Sequence, residues 1–224
     1  MRQAVRGLAI VLIPALLALS CEQQTWESAM LAGQRAMQQG RYEEAVRAFA
    51  AAARKAEPQP DRMGLALSGQ AQALATQGDY VAAEPVYLQA LKAFQDAHGE
   101  NHADVAATLN NLGVLHRMHG QYPQAEPLLV RALAIKERIH GADHPEVALS
   151  LHHLGLLYVA QGQPNKAEPL YRRALAIRER VLGPDHADVA KSIEALAGVL
   201  RALHREAEAA SLEARLAANR IPRS

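Results

Sequence analysis

His102, His144 and His186 stand 42 residues apart, each inside the same phrase. The first copy reads Gly99-Glu100-Asn101-His102-Ala103-Asp104-Val105-Ala106, and its counterparts begin at Gly141 and Gly183. With ten histidines in 224 residues, the chemistry to test first is metal ligation or proton transfer. Metal donors must all sit about 2 Å from one ion. Successive copies of a helical unit are at least one helix-packing distance apart, about 10 Å. The three recurring histidines therefore cannot share an ion. They are expected to be loop imidazoles that steady the start of the helix after each of them, with no metal and no cofactor bound. Nucleophile elbows, phosphate loops, HExxH and paired cysteines are missing from the sequence. Glu84, Glu126 and Glu168 repeat with the same period, which marks them as structural positions rather than an acid–base pair. No enzyme is expected.

The period itself identifies the elements. Gly78, Gly120 and Gly162 keep the interval, as do Ala83, Ala125, Ala167 and Ala209, and Ala90, Ala132 and Ala174. A period in this range means small units stacked in a row. Half of the chain is hydrophobic, much of it alanine, and aromatics are few. Alanine has the highest helix propensity, and no stretch alternates apolar and polar residues over a strand length. An all-α protein is expected. Each unit holds two apolar-periodic segments joined by a polar turn such as Met118-His119-Gly120-Gln121. Pro85, Pro127 and Pro169 place second-helix starts near residues 81, 123 and 165, because proline is tolerated only in a first helical turn. Gly99, Gly141 and Gly183 suit left-handed terminating residues. Asp104, Glu146 and Asp188 put negative charge at the positive end of each following helix.

The fourth unit reads Leu151, Leu154-Gly155, Tyr158, Ala167, Tyr171, Ala174, and the third reads Leu109, Leu112-Gly113, His116, Ala125, Leu129, Ala132. This pattern resembles the tetratricopeptide repeat family, in the 42-residue form found in kinesin light chain. The resemblance covers residues 26–219 and implies a right-handed α-solenoid of about five helix-turn-helix units. The units run at about 26–60, 62–103, 104–145, 146–187 and 188–220. It also implies that first helices line a concave groove for peptides. The stripe Ala107, Asn110, Val114 and Arg117 is expected to face that groove, because residues at these intervals share a helix face. In long-repeat relatives an asparagine at the place of Asn110 hydrogen-bonds a bound peptide. The peptide-binding set expected here is Asn110, Asn111, Val114, Arg117, His152, His153, Leu156, Lys191, Glu194 and Arg201. Arg117, Lys191 and Arg201 suit acidic side chains or a terminal carboxylate. The family's Lys/Asn carboxylate clamp is not present.

The amino terminus is a separate object. Arg2 and Arg6 precede an apolar run from Leu8 to Leu19, too short for a membrane span of about 20 residues. It is expected to be a signal peptide covering residues 1–20. Leu17-Ala18-Leu19-Ser20-Cys21 resembles a bacterial lipobox, although Ala18 stands where leucine is usual. Cys21, the sole cysteine, is expected to carry lipid, with residues 21–25 as a polar tether. Two or more acyl chains give stable anchoring where one is marginal. Loss of Arg2 and Arg6 leaves 22 basic against 23 acidic side chains. No basic stripe remains to neutralise phosphates, so nucleic acid is excluded as a partner. The expectation is a monomeric protein-interaction adaptor, lipid-anchored at the bacterial cell envelope on the periplasmic side, with soluble secretion as the alternative. An assembly factor similar in layout to the pilotins of pilus secretins is one alternative, a self-associating structural protein another. Glu206, Glu208 and Glu213 make the last helix polar, as a terminal cap requires.

Overall fold

A computed structural model describes residues 13–56 and 58–219, with side chains from Trp26 to Ala217 apart from residue 57. Ten α-helices and no strand occur among the described residues. The helices are α1 (Ile13–Gln38), α2 (Tyr42–Lys55), α3 (Pro60–Thr76), α4 (Tyr80–His98) and α5 (Ala103–Met118). They continue as α6 (Tyr122–His140), α7 (Pro145–Ala160), α8 (Pro164–Leu182), α9 (Ala187–Ala202) and α10 (Glu206–Asn219). They divide between two compact bodies, residues 1–97 and 98–224. The second helices at Tyr80, Tyr122 and Pro164 start within a residue of the expected positions, but Pro85, Pro127 and Pro169 stand inside them, in the second turn rather than the first.

In the first body, Phe49 of α2 is the centre of the core, packed with Ala36, Ala45 and Ala73. Its ring lies where side chains at Gly33 and Gly69 would stand; a Cβ at either would come within 2.7 or 2.8 Å of it. The backbone of the expected leader end and tether, residues 13–25, forms the start of α1 without a break at Ser20–Cys21. No proline or glycine interrupts the chain between Pro14 and Gly33, so nothing local stops the helix. The Cys21 side chain and residues 1–12 lie outside the described residues. No helix among the described residues is long and apolar enough to cross a membrane.

The second body repeats one device. A small residue on the first helix receives a large one from the second: Gly113 faces Leu129, and Gly155 faces Tyr171. Around these contacts lie two core clusters. One is built on Ala125, Leu129, Leu154 and Leu157, the other on Tyr171, Val189, Ile193, Leu196 and Leu200. Two cations are also drawn inside. Lys136 of α6, 4% exposed, meets Glu146 of α7 at 2.8 Å. Arg178 of α8, 6% exposed, donates to Ser192 Oγ of α9 at 2.6 Å. Each ties a second helix to the following first helix: the Lys136 charge is paired with a carboxylate, and the Arg178 charge is hydrogen-bonded to neutral oxygens of α9.

The loop histidines cap helices. Nδ1 of His102, His144 and His186 accepts the backbone N–H two residues on, at 3.3, 3.2 and 3.1 Å. This satisfies a donor that a helix start otherwise leaves unpaired. The terminating glycines differ from the expected left-handed form. Gly141 (φ 84°, ψ 160°) and Gly183 (φ 82°, ψ 161°) combine positive φ with extended ψ, a region essentially reserved for glycine. They turn the chain out of the helix into the extended backbone of the next histidine cap.

Candidate functional site

Helices α5, α7 and α9 carry the expected peptide-binding residues, all within the second body. Their surroundings sort the residues into three groups. Asn111, Lys191, Glu194 and Arg201 are exposed, while Val114, Arg117, His152, His153 and Leu156 are partly buried. Asn110 is only 3% exposed, so the expectation that it meets a peptide needs correction. Its amide oxygen lies 3.0 Å from His153 Nδ1 on α7. An amide oxygen only accepts, so the imidazole donates and is held as its Nδ1–H tautomer. The stripe turns by about one residue from the expected face, because α7 packs beside α5 and covers Asn110. The open side of α5 then runs through Ala107, Asn111 and Val114.

Lys191 and Arg201 are also committed elsewhere. Lys191 Nζ pairs with Asp188 Oδ1 at 2.9 Å, and Arg201 with Glu213 of α10 and, at 3.8 Å, with Glu206. Lys191 and Glu194 border a depression of about 370 Å³ with His186, Ala190 and Leu216 at the α9–α10 end. Of the three cations expected to meet carboxylates, Arg117 alone has no ion pair among the described residues. Its Nε is buried without a hydrogen-bond partner in the chain, and so is His152 Nδ1.

His152 and His153 stay neutral at physiological pH. Burial pushes His152 down to about 4, with help from the positive charges of Arg178, Lys191 and Arg117 against a smaller opposing effect of Asp188. Burial pushes His153 down to about 4 as well, aided by His152, Lys136, Arg117 and Arg178. The His152 ring leans on Tyr171, centroids 5.3 Å apart. A neutral imidazole and a guanidinium, each with a buried polar atom unused, thus lie on adjoining helices. They can hydrogen-bond a peptide carbonyl or carboxylate. They offer no nucleophile.

This geometry of stacked hairpins with an open first-helix face is matched by comparison with known families. The profile of the tetratricopeptide repeat matches residues 62–138, 120–180 and 160–220. The chain belongs to the tetratricopeptide repeat family. The family's fold is a scaffold for protein–protein interaction. No curated protein matches the chain. Among solved structures, BtubC (BKLC) from P. vanneervenii is 23% identical with a TM-score of 0.81, over 92% of this chain and 85% of that one. A putative kinesin light chain of Podosopora anserina with nearly identical TPR-like repeats is 23% identical, TM-score 0.75, over 86% and 93%. PilF of Pseudomonas aeruginosa is 18% identical, TM-score 0.67, over 88% and 78%. At these identities the likeness is one of fold.

The repeat and the helices that carry the site are legible in the sequence, but three side chains that shape it are not among the expected site residues. Tyr171 supports His152 from the neighbouring helix, Arg178 depresses both imidazoles, and Lys136 depresses that of His153. Lys136 and Arg178 do stand 42 residues apart in the sequence, which was the available signal.

Proposed function

We propose that the protein is an interaction adaptor of the bacterial cell envelope. In this reading Cys21 carries lipid and holds the chain at a membrane surface, and the α5–α7–α9 face takes a segment of a partner protein. The observation that carries the binding reading is the pair of unused buried polar atoms, Arg117 Nε and His152 Nδ1. Buried polar groups without partners cost about 1–3 kcal/mol each, and a shift of these two partly exposed side chains on binding lets a segment that supplies acceptors or donors remove that cost. The preorganised helices need little reordering on binding.

The test uses the mature chain and peptides selected on it from a random display library. Arg117→Ala is expected to weaken the selected peptides at least about tenfold, as loss of a hydrogen bond to a charged group implies. Lys191→Ala, already neutralised by Asp188, should change them little, and helical circular dichroism should be preserved in both. Peptides that bind Arg117→Ala as well as the parent would remove this face from consideration. The membrane reading has its own check: Cys21→Ala is expected to move the protein from the membrane fraction to the soluble one. Equal retention of parent and variant on membranes would refute lipid anchoring. The pilotin-like form of the proposal rests on the combined layout of lipobox and repeats. Glu206 and Glu208, exposed on α10, favour a closed end over open self-assembly.

A further inference from the structure

Histidines of different loops are too far apart to share an ion. The structure brings together two histidines of one loop. His98 closes α4, His102 caps α5 and Asp104 lies in the first turn of α5. One donor atom from each, two imidazole nitrogens and a carboxylate oxygen, all lie within 4.8 Å of one another. The two rings stack with centroids 4.1 Å apart. Asp104 Oδ2 is 3.2 Å from His102 Nδ1 and 3.8 Å from His98 Nε2. Donors around a tetrahedral zinc ion with bonds of about 2.0–2.1 Å stand about 3.3 Å apart. Rotation of the two rings out of their stack, so that their in-plane lone pairs converge, closes the triad on an ion. The three side chains are 30%, 42% and 39% exposed, so an ion reaches them from solvent and water completes its coordination.

We propose that His98, His102 and Asp104 form a binding site for Zn²⁺ or a similar imidazole-seeking divalent ion. Imidazole donors select this class over Mg²⁺ and Ca²⁺, which take oxygen ligands. The other two loops are internal controls, because the repeat places homologous positions in the same geometry. In the α6–α7 loop, His140 and His144 also stack, at 4.4 Å, but the carboxylate of Glu146 is held by Lys136 at 2.8 Å. The residue 42 positions before Lys136 is Phe94, which carries no charge. In the α8–α9 loop, Leu182 stands where the first histidine would be, and Asp188 is held by Lys191 at 2.9 Å. The residue matching Lys191 in α5 is Ala107. Of the three loops, the first alone joins two imidazoles to a carboxylate that no lysine holds. Binding through His102 Nδ1 displaces its capping hydrogen bond to Asp104 N–H. At 3.3 Å that bond is the longest of the three caps, so its loss costs least here. The Asp104 carboxylate offsets the ion's charge at the positive end of α5.

The experiment titrates the untagged mature chain with Zn²⁺ alone by calorimetry and follows Co²⁺ by visible absorption. About one equivalent is expected to bind, with Mg²⁺ and Ca²⁺ giving no heat. Removal of a residue that merely supports a ligand weakens metal binding by about 10–100-fold. His98→Leu and Asp104→Asn remove ligands, so each is expected to weaken Zn²⁺ at least that much. His98→Leu copies the residue of the third loop, and circular dichroism confirms that the variant is folded. His140→Leu, in the loop whose carboxylate is occupied, should leave Zn²⁺ affinity unchanged. No binding below about 100 μM Zn²⁺, or a loss as large in His140→Leu as in His98→Leu, would overturn the site.

Discussion

Tyr171→Ala is expected to destabilise the second body by about 3–5 kcal/mol, the usual range for removal of a buried aromatic ring. For a unit of this size that is a fall of roughly 10–20 °C in thermal midpoint by circular dichroism. The ring is 1% exposed, packs in the cluster with Val189, Ile193 and Leu196, and supports His152. The more discriminating result concerns Gly155. A Cβ there would stand 2.6 Å from Tyr171 Cε1, inside any real contact distance, and a ring packed on both sides cannot yield. Gly155→Ala is therefore expected to cost about 1–3 kcal/mol in the parent chain. In the Tyr171→Ala background the added methyl enters the vacated space. There the helix preference of alanine over glycine, about 1 kcal/mol, makes the same change neutral or stabilising. The sign of one substitution thus depends on the other, and the coupling exceeds about 1 kcal/mol. Equal costs of Gly155→Ala in both backgrounds would show that the glycine is not there to admit the ring.

Acidification from pH 6.5 to about 4 is expected to drain stability from the second body through His152 and His153. Both have folded values near 4, well below the ordinary 6.5 of an unfolded chain. For an imidazole held neutral, the unfolded state binds the extra proton. Stability is then complete above pH 6.5, falls as pH drops through the window, and levels off below about 4. At about 1.4 kcal/mol per unit, the more buried His153 accounts for a loss on the order of 3 kcal/mol. His152, partly open to solvent, accounts for less. The groups that face the pair are Arg117, Lys136, Arg178, Lys191 and Asp188. Only Asp188 favours the charged ring, and Lys191 already neutralises it. Replacing both histidines by asparagine copies Asn110-Asn111 of α5. Urea titrations at pH 7, 6, 5 and 4 are expected to show a flatter dependence between 6.5 and 4 for this variant than for the parent. A slope that survives the double substitution would assign the acid sensitivity to other groups.

The repeat, the ten-helix plan and the helix starts were legible in the residue order because their causes act within a turn or two. Proline keeps close to a helix start, here no deeper than the second turn at Pro85, Pro127 and Pro169, and alanine favours a helix whatever surrounds it. The loop histidines, each two residues before the backbone N–H they cap, were read correctly as helix starts for the same reason. The cap glycines were half legible: positive φ followed from residue type, but ψ near 160° came from the direction of the next hairpin.

Which polar residues remain open was decided by the packed helices. Successive residues on a helix differ by about 100°, so a rotation of one position separates Asn110 from Asn111. Sequence periodicity defines a stripe but not the helix that will lie against it. Once α7 occupies one flank of α5, Asn110 is sealed against His153, and Arg201 of α9 turns to Glu213 of α10. The meeting of His98 with His102 and Asp104 is of the same kind. Residue order shows two imidazoles four apart across a glycine, and only the positive φ of Gly99 folds them onto each other. Local chemistry thus determined where this chain forms helices, and the packing of helix on helix determined which of its side chains are available to bind.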